Sequence, residues 1–178
     1  MIHPNLTVPR VVIAVLLALV PLAAPEPAEA ATWVVNTTDD VEDHHGCDAA
    51  HCSLREAITA ANARGPDTLN FDIPGTGIHR IRLTSRLPSI SDDDTTIAGD
   101  SQPGYAGTPR IILDGRDLGG GEGLFTYYAD NTVIRGLSIV GFRNAAYPNY
   151  GIGISIAGTG GQILDNYIGI EPDGTARG

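Results

Sequence analysis

Lysine is absent from this 178-residue chain, and all eleven of its basic residues are arginine. Against 21 acidic residues they leave a formal net charge of −10. Binding to nucleic acid needs clustered cations along the phosphates, which scattered arginines on an acidic chain do not supply, so nucleic acid is excluded as a partner. Long hydrophobic runs are lacking too. The apolar stretch from Val11 to Val20 has ten residues, well short of the ~20 that a membrane-spanning helix needs. Cysteine is scarce: there are two, Cys47 and Cys52.

What is there begins with that apolar stretch. Arg10 precedes it, Pro21, Pro25 and Pro27 break it, and Ala28-Glu29-Ala30 sets small residues around a cleavage position after Ala30. This is the pattern of a secretory signal, 1–30, and it predicts an exported mature chain, 31–178, long enough for one domain. Removal of Arg10, Glu26 and Glu29 takes the net charge from −10 to −9. No cysteine lies near the cleavage position, which argues against lipidation there.

An oxidising destination favours a Cys47–Cys52 disulfide closing a loop of six residues. The competing reading is a zinc site drawing on His44, His45, Cys47, His51 and Cys52. That ligand set is chemically sound, but its spacing fits no common zinc module.

Directly after the second cysteine, Ser53 and Glu56 form a capping box, each satisfying a backbone donor left over at a helix start. Leu54, Ala57, Ile58 and Ala61 follow at helical spacing, so a short helix is expected from about Leu54 to Ala63, stopped by Gly65 and Pro66. A strand at Thr32 to Asn36 precedes it, and the alternating Leu69, Phe71 and Ile73 mark a strand over Thr68 to Ile73. Together 31–75 reads as a βαβ-like cap.

Beyond Gly77 short apolar pulses recur, most of them closed by Gly, Asn or Asp: Ile78–Leu83, Thr95–Gly99, Ile111–Gly115, Thr132–Gly136, Leu137–Gly141, Gly151–Ile156 and Ile163–Gly169. Thr95–Gly99 and Thr132–Gly136 share Thr-x-Ile-x-Gly, 37 residues apart, and Ile163–Asn166 repeats the shape 30 residues after Val133. Such spacing predicts stacked coils. A sandwich or Greek key is the alternative, but hairpin signals are few, Asp114-Gly115 and Asp173-Gly174 being the exceptions. The expected fold is all-β, a right-handed parallel β-helix over 76–178 with a short helix-containing N-terminal cap. The cap's role would be to cover the apolar interior and free strand edge of the first coil. The chain stops at Ala176-Arg177-Gly178 inside a repeat, which reads as a piece of a longer solenoid.

The run Cys52-Ser53-Leu54-Arg55-Glu56-Ala57, with Ala60-Ala61-Asn62 and the Thr68–Ile73 strand, resembles the CSLREA domain of secreted bacterial proteins. Asn166-Tyr167-Ile168-Gly169 and Asp173-Gly174-Thr175 are similar to the repeats that follow it, although Ile170 stands where those repeats usually carry Thr. The resemblance implies an exported module ahead of a parallel β-helix, and says little about activity.

Several residues could carry chemistry. The acidic turn Asp39 to Asp43, with Asp48, offers oxygen ligands to calcium, the candidates being Asp40, Asp43 and Asp48. A plain solvated turn is the preferred reading there, and also at Asp92-Asp93-Asp94. Asp114, Asp117, Asp130, Asp165 and Arg135 are candidates for glycoside hydrolysis or a lyase reaction, but Asp at a strand end is foremost a turn former. Tyr127-Tyr128 and Tyr147 to Tyr150 fall in longer loops, where exposed rings could stack on sugars or on a protein. The sequence therefore points to an exported surface or extracellular protein with a structural, adhesive or glycan-binding role and a polysaccharide or cell-surface protein as partner. A β-helix lyase or glycoside hydrolase is the alternative.

Overall fold

The computed structural model describes residues 29–43, 45–63, 65–143 and 151–176. The leader reading, apart from Glu29 and Ala30, falls outside those residues, as do His44, Tyr147 and Tyr150. Strand β1 (Thr32–Val35) and helix α1 (Leu54–Ala61) open the fold. Strands β2 (Thr68–Phe71), β3 (His79–Arg82), β4 (Thr96–Ala98), β5 (Ile111–Asp114) and β6 (Glu122–Phe125) follow. After them come β7 (Val133–Arg135), β8 (Leu137–Val140), β9 (Ile152–Ser155), β10 (Gln162–Leu164) and β11 (Tyr167–Ile168).

Every pairing between these strands is parallel, and the strands sort into three sheets visited in turn. The first has the order β1-β2-β4-β7-β10, the second β11-β8-β5-β3, and the third β6-β9 with a bridge from Thr126 to Ile90. The chain is a parallel β-helix of about three turns. Because β2 pairs with both β1 and β4, the cap's sheet runs without a break into the first sheet of the solenoid.

The register explains why short apolar pulses suffice. Trp33, Leu69, Ile97, Ile134 and Ile163 lie side by side across five strands. Ile81, Leu113, Ile139 and Ile168 do the same in the second sheet. Each coil lends one side chain to each stack, and stacking buries what no single coil could bury alone. Leu69, Ile97, Ile134, Ile81 and Leu113 are fully buried, whereas Ile163 and Ile168 in the last described coil are 46% and 50% exposed.

Turns stack as well. Asp94, Asn131 and Gly160 occupy equivalent places, two residues before β4, β7 and β10, and all three have a left-handed backbone, with φ of 58°, 56° and 69°. Asp and Asn tolerate that region better than most residues and Gly freely, which is why those types recur there.

Three expectations change on the structure. The helix ends at Ala61 rather than Ala63, because Asn62 is the C-cap and its side chain is drawn off to Ser89 and Ser91 of the next coil. β10 sits 29 residues after β7, not 30, since Gln162 pairs with Val133 and Ile163 with Ile134. β6 has no counterpart among the expected pulses, and it lies among Gly119, Gly120, Gly121 and Gly123. Gly123 is a packing glycine: a Cβ there would lie 2.4 Å from the Gly153 carbonyl oxygen and 2.8 Å from the Phe142 ring.

Candidate functional site

The N-terminal end gathers most of the chemistry. Ser53 takes an extended backbone ahead of α1, its Oγ accepts from the Glu56 N–H at 3.2 Å, and Glu56 Oε2 accepts from the Ser53 N–H at 2.9 Å. The capping box is therefore complete, and it reaches further than the helix. Ser53 Oγ donates to the Val41 carbonyl at 2.7 Å, and the Asp43 N–H donates to Glu56 Oε1 at 2.9 Å. The buried cap residues thus fasten the acidic turn onto the helix start.

Cys47 and Cys52 form a disulfide, with their Cα atoms 4.2 Å apart. The Cys52 N–H also donates to Asn36 Oδ1 at 2.8 Å, and Asn36 Nδ2 donates to the Asp48 and Ala49 carbonyls. With its sulfurs joined, the zinc set expected from His44, His45, Cys47, His51 and Cys52 loses its thiolates, and His44 lies outside the described residues.

The three calcium candidates face three different partners. Asp40 is buried and held by Arg55, whose Nη2 lies 2.7 Å from Oδ1 and 2.9 Å from Oδ2. Its Oδ2 also accepts from the Thr84 N–H and hydroxyl. Asp48 Oδ1 accepts the N–H groups of Ala50 and His51, and these two bonds hold its carboxyl below the usual range. Asp43 Oδ1 accepts the His45 N–H, the foremost cause of its own lowered pKa. Among the described residues, the one group of three or more ligand-type side chains within 4.8 Å of one another is Asp43, His51 and Glu56.

His51 is the hub of that group. Its Nε2 lies 3.2 Å from both carboxylate oxygens of Asp39. Its Nδ1 lies 3.0 Å from Glu56 Oε2 and 3.5 Å from Asp43 Oδ2. Burial alone would depress its pKa, but the Asp39 hydrogen bond and the charges of Asp39, Glu56 and Asp43 carry it above the ordinary histidine value. Nδ1 is itself buried, and neither neighbour lies in line for a hydrogen bond.

Sequence reasoning passed over Arg55 and Asp40 as a pair. Arg55 also donates to the carbonyls of Arg86 at 2.7 Å and Ser85 at 3.0 Å, so it pins the turn, the helix and the loop after β3 together. In the sequence Arg55 lies off the apolar stripe beside the capping box, where nothing distinguishes it from a solvent-facing helix residue.

The residues considered for catalysis are spread over the coils and occupied by the fold. Asp114 is fully buried between Arg80 and Arg116. Burial would raise its pKa, but the backbone and side chain of Arg116 and the side chain of Arg80 hold it low. Arg135 is paired with Asp100, and Asp130 Oδ1 caps the Thr159 N–H. Asp117 meets Arg82 at 3.6 Å on the surface, and Asp165 is a left-handed turn residue. In the acidic triplet, Asp93 and Asp94 accept from the Asp130 N–H and Asn131 side chain of the next coil, so the triplet serves as turn glue.

The aromatic pair behaves differently. Tyr127 and Tyr128 are 56% and 75% exposed, their rings meeting edge-on at 4.8 Å. Tyr128 has a left-handed backbone, φ 53°, rare for a bulky side chain. The segment is held by parallel bonds in both directions, from the Ile90 N–H to Phe125 and from the Tyr127 N–H to Ile90.

No family model, curated protein or solved structure matches this chain. Among the described residues no helix is long and apolar enough to cross a membrane.

Proposed function

We propose that this chain is an exported surface or extracellular protein, a capped β-helix of the CSLREA type that presents loops for adhesion or glycan binding. The observation that carries this reading is the Tyr127–Tyr128 ledge, two largely solvent-facing rings on a strained segment of a rigid coil. Backbone strain at an exposed aromatic is costly and needs a compensating use, and flat rings with a hydroxyl edge suit the apolar face and polar rim of a sugar. The leader-like 1–30 segment and the Cys52–Ala57 motif support the export part of the proposal.

The test is retention of the full chain on a panel of immobilised neutral and acidic polysaccharides, with product analysis of the same polymers in solution. Retention that falls about tenfold or more in Tyr127→Ala/Tyr128→Ala, with no new chain ends, supports binding. Release of shortened or unsaturated oligosaccharides would replace it with the lyase or hydrolase reading. Recovery of protein beginning at Ala31 from the culture medium of an expressing host tests export. Protein retained in the cell with its first 30 residues intact counts against it.

A further inference from the structure

We infer that Asp43, His51 and Glu56 form a binding site for a divalent transition metal of the zinc type, with Asp39 as the residue that orients the imidazole. The argument starts from the histidine ring. Asp39 grips Nε2 with both oxygens at 3.2 Å, which fixes the ring proton there in the neutral imidazole. A carboxylate behind the distal ring nitrogen is the arrangement that sets the tautomer and raises the basicity of metal-ligating histidines. The Nδ1 lone pair is then turned inward, buried and without a hydrogen-bond partner, beside Glu56 Oε2 and Asp43 Oδ2.

The spacings suit a shared ion. Ligand atoms about 2.0–2.2 Å from one metal, at tetrahedral or octahedral angles, stand about 3.0–3.5 Å from each other. Nδ1 is 3.0 Å from Glu56 Oε2 and 3.5 Å from Asp43 Oδ2, and all three ligand atoms lie within 4.8 Å of one another.

Donor capacity is also left over. Glu56 Oε2 accepts the Ser53 N–H and lies 3.1 Å from Ser53 Oγ, but that hydroxyl has a single proton and its shorter 2.7 Å bond goes to the Val41 carbonyl, which leaves Oε2 a lone pair. Asp43 uses Oδ1 for the His45 N–H and leaves Oδ2 to the site. One nitrogen and two carboxylate oxygens form a donor set for zinc or a neighbouring first-row ion, with a fourth position for water. The site is also pre-shaped: the capping box locks Glu56, and the Asp48 turn and the disulfide flank His51.

The test is isothermal titration of the chelator-treated full chain with Zn²⁺ alone, at mildly alkaline pH, with Co²⁺ absorption as a second readout. The expected result is one saturable equivalent per chain and a Co²⁺ spectrum showing nitrogen–oxygen coordination. Asp39→Asn, which keeps a hydrogen-bond acceptor, should weaken binding about 10–100-fold, as loss of an orienting carboxylate does. Glu56→Gln keeps one acceptor oxygen for the Ser53 N–H but gives up the second, which takes the Asp43 N–H, and should weaken binding at least as much, while His51→Ala should abolish the saturable step. If His51→Ala does not fold, the Asp39→Asn and Glu56→Gln results decide. Absence of a saturable step in the folded wild-type chain would overturn the proposal. So would binding that survives these substitutions unchanged, which would mark an adventitious ion only.

Discussion

The first and the last described coils of the solenoid differ in how their apolar faces are covered. At the N-terminal end the ladder finishes on Trp33, half-buried, with its indole N–H donated to the buried Asp67 at 2.8 Å and α1 packed against the strand. At the other end Ile163, Leu164, Ile168 and Ile170 each leave more than 40% of their surface to solvent. The inward-facing residue types are alike in both coils; what differs, among the described residues, is the amphipathic helix packed over the first. Asp67, Asn36, Asp40 with Arg55 and the Ser53–Glu56 box each tie one segment of the cap to another through buried or half-buried hydrogen bonds, and Asn62 ties the helix end to the next coil. The last described coil has side-chain pins of its own: Asn166 bridges the Ile134 carbonyl and the Leu137 N–H, Ser138 Oγ donates to the Ile170 carbonyl, Thr126 Oγ1 and Asp130 Oδ1 accept the Ala157 and Thr159 N–H groups, and Glu171 reaches Arg80. Closing a β-helix end is thus a matter of anchoring an amphipathic helix with specific polar contacts, since apolar area alone does not fix its position.

The largest expected effect breaks the comparison at the cap. Arg55→Met strands the Asp40 carboxylate, 2% exposed, without its partner. Breaking a buried pair on one side costs about 3–5 kcal/mol, so urea denaturation should show a marked loss of stability, centred on the cap. Next, the interior ladder should give unequal costs for one chemical change. Ile97→Ala removes a fully buried side chain and should cost about 2–5 kcal/mol, whereas Ile163→Ala at the exposed end should cost less than about 1 kcal/mol. Equal costs at the two positions would mean that Ile163 is covered in solution.

The smallest effect concerns acid. Asp114 has a folded pKa below its ordinary value because Arg116 and Arg80 surround it. Its contribution is therefore present above the unfolded-state pKa, near 4, and is lost as the pH falls through the folded value. Acid titration of stability should show this loss below about pH 4, and Asp114→Asn should remove that part of the pH dependence.

How far the sequence carried the structure depended on whether the signal was local. The capping box is local, as two residues three apart make it, and it formed as read. The apolar pulses are local too, and the inward Ile, Leu and Val of each became one rung of a ladder. Register is not local. The coil from β4 to β7 is longer than its neighbours, so the one-residue error at Ile163 could not be seen without the pairing itself. Gly123 is the clearest case of a misleading signal. Its chain context reads as turn, but the reason for glycine is a carbonyl from another coil at 2.4 Å from where a Cβ would sit. The acidic turn was legible as ligand-rich, but its partners were not. Asp40 goes to Arg55, fifteen residues on, and Asp43 meets His51 and Glu56 only because the capping box draws the turn inward.

Native-state hydrogen exchange across the full chain tests the central claim most directly, because each ladder amide reports the opening energy of its own coil. Strong protection is predicted in α1, β2, β4, β5, β7 and β8, with β1 protected nearly as well through the cap, and fast exchange in β10 and β11. Protection in β10 and β11 equal to that of β4, or a cap that exchanges faster than the last coil, would contradict the account of a pinned end and an exposed one.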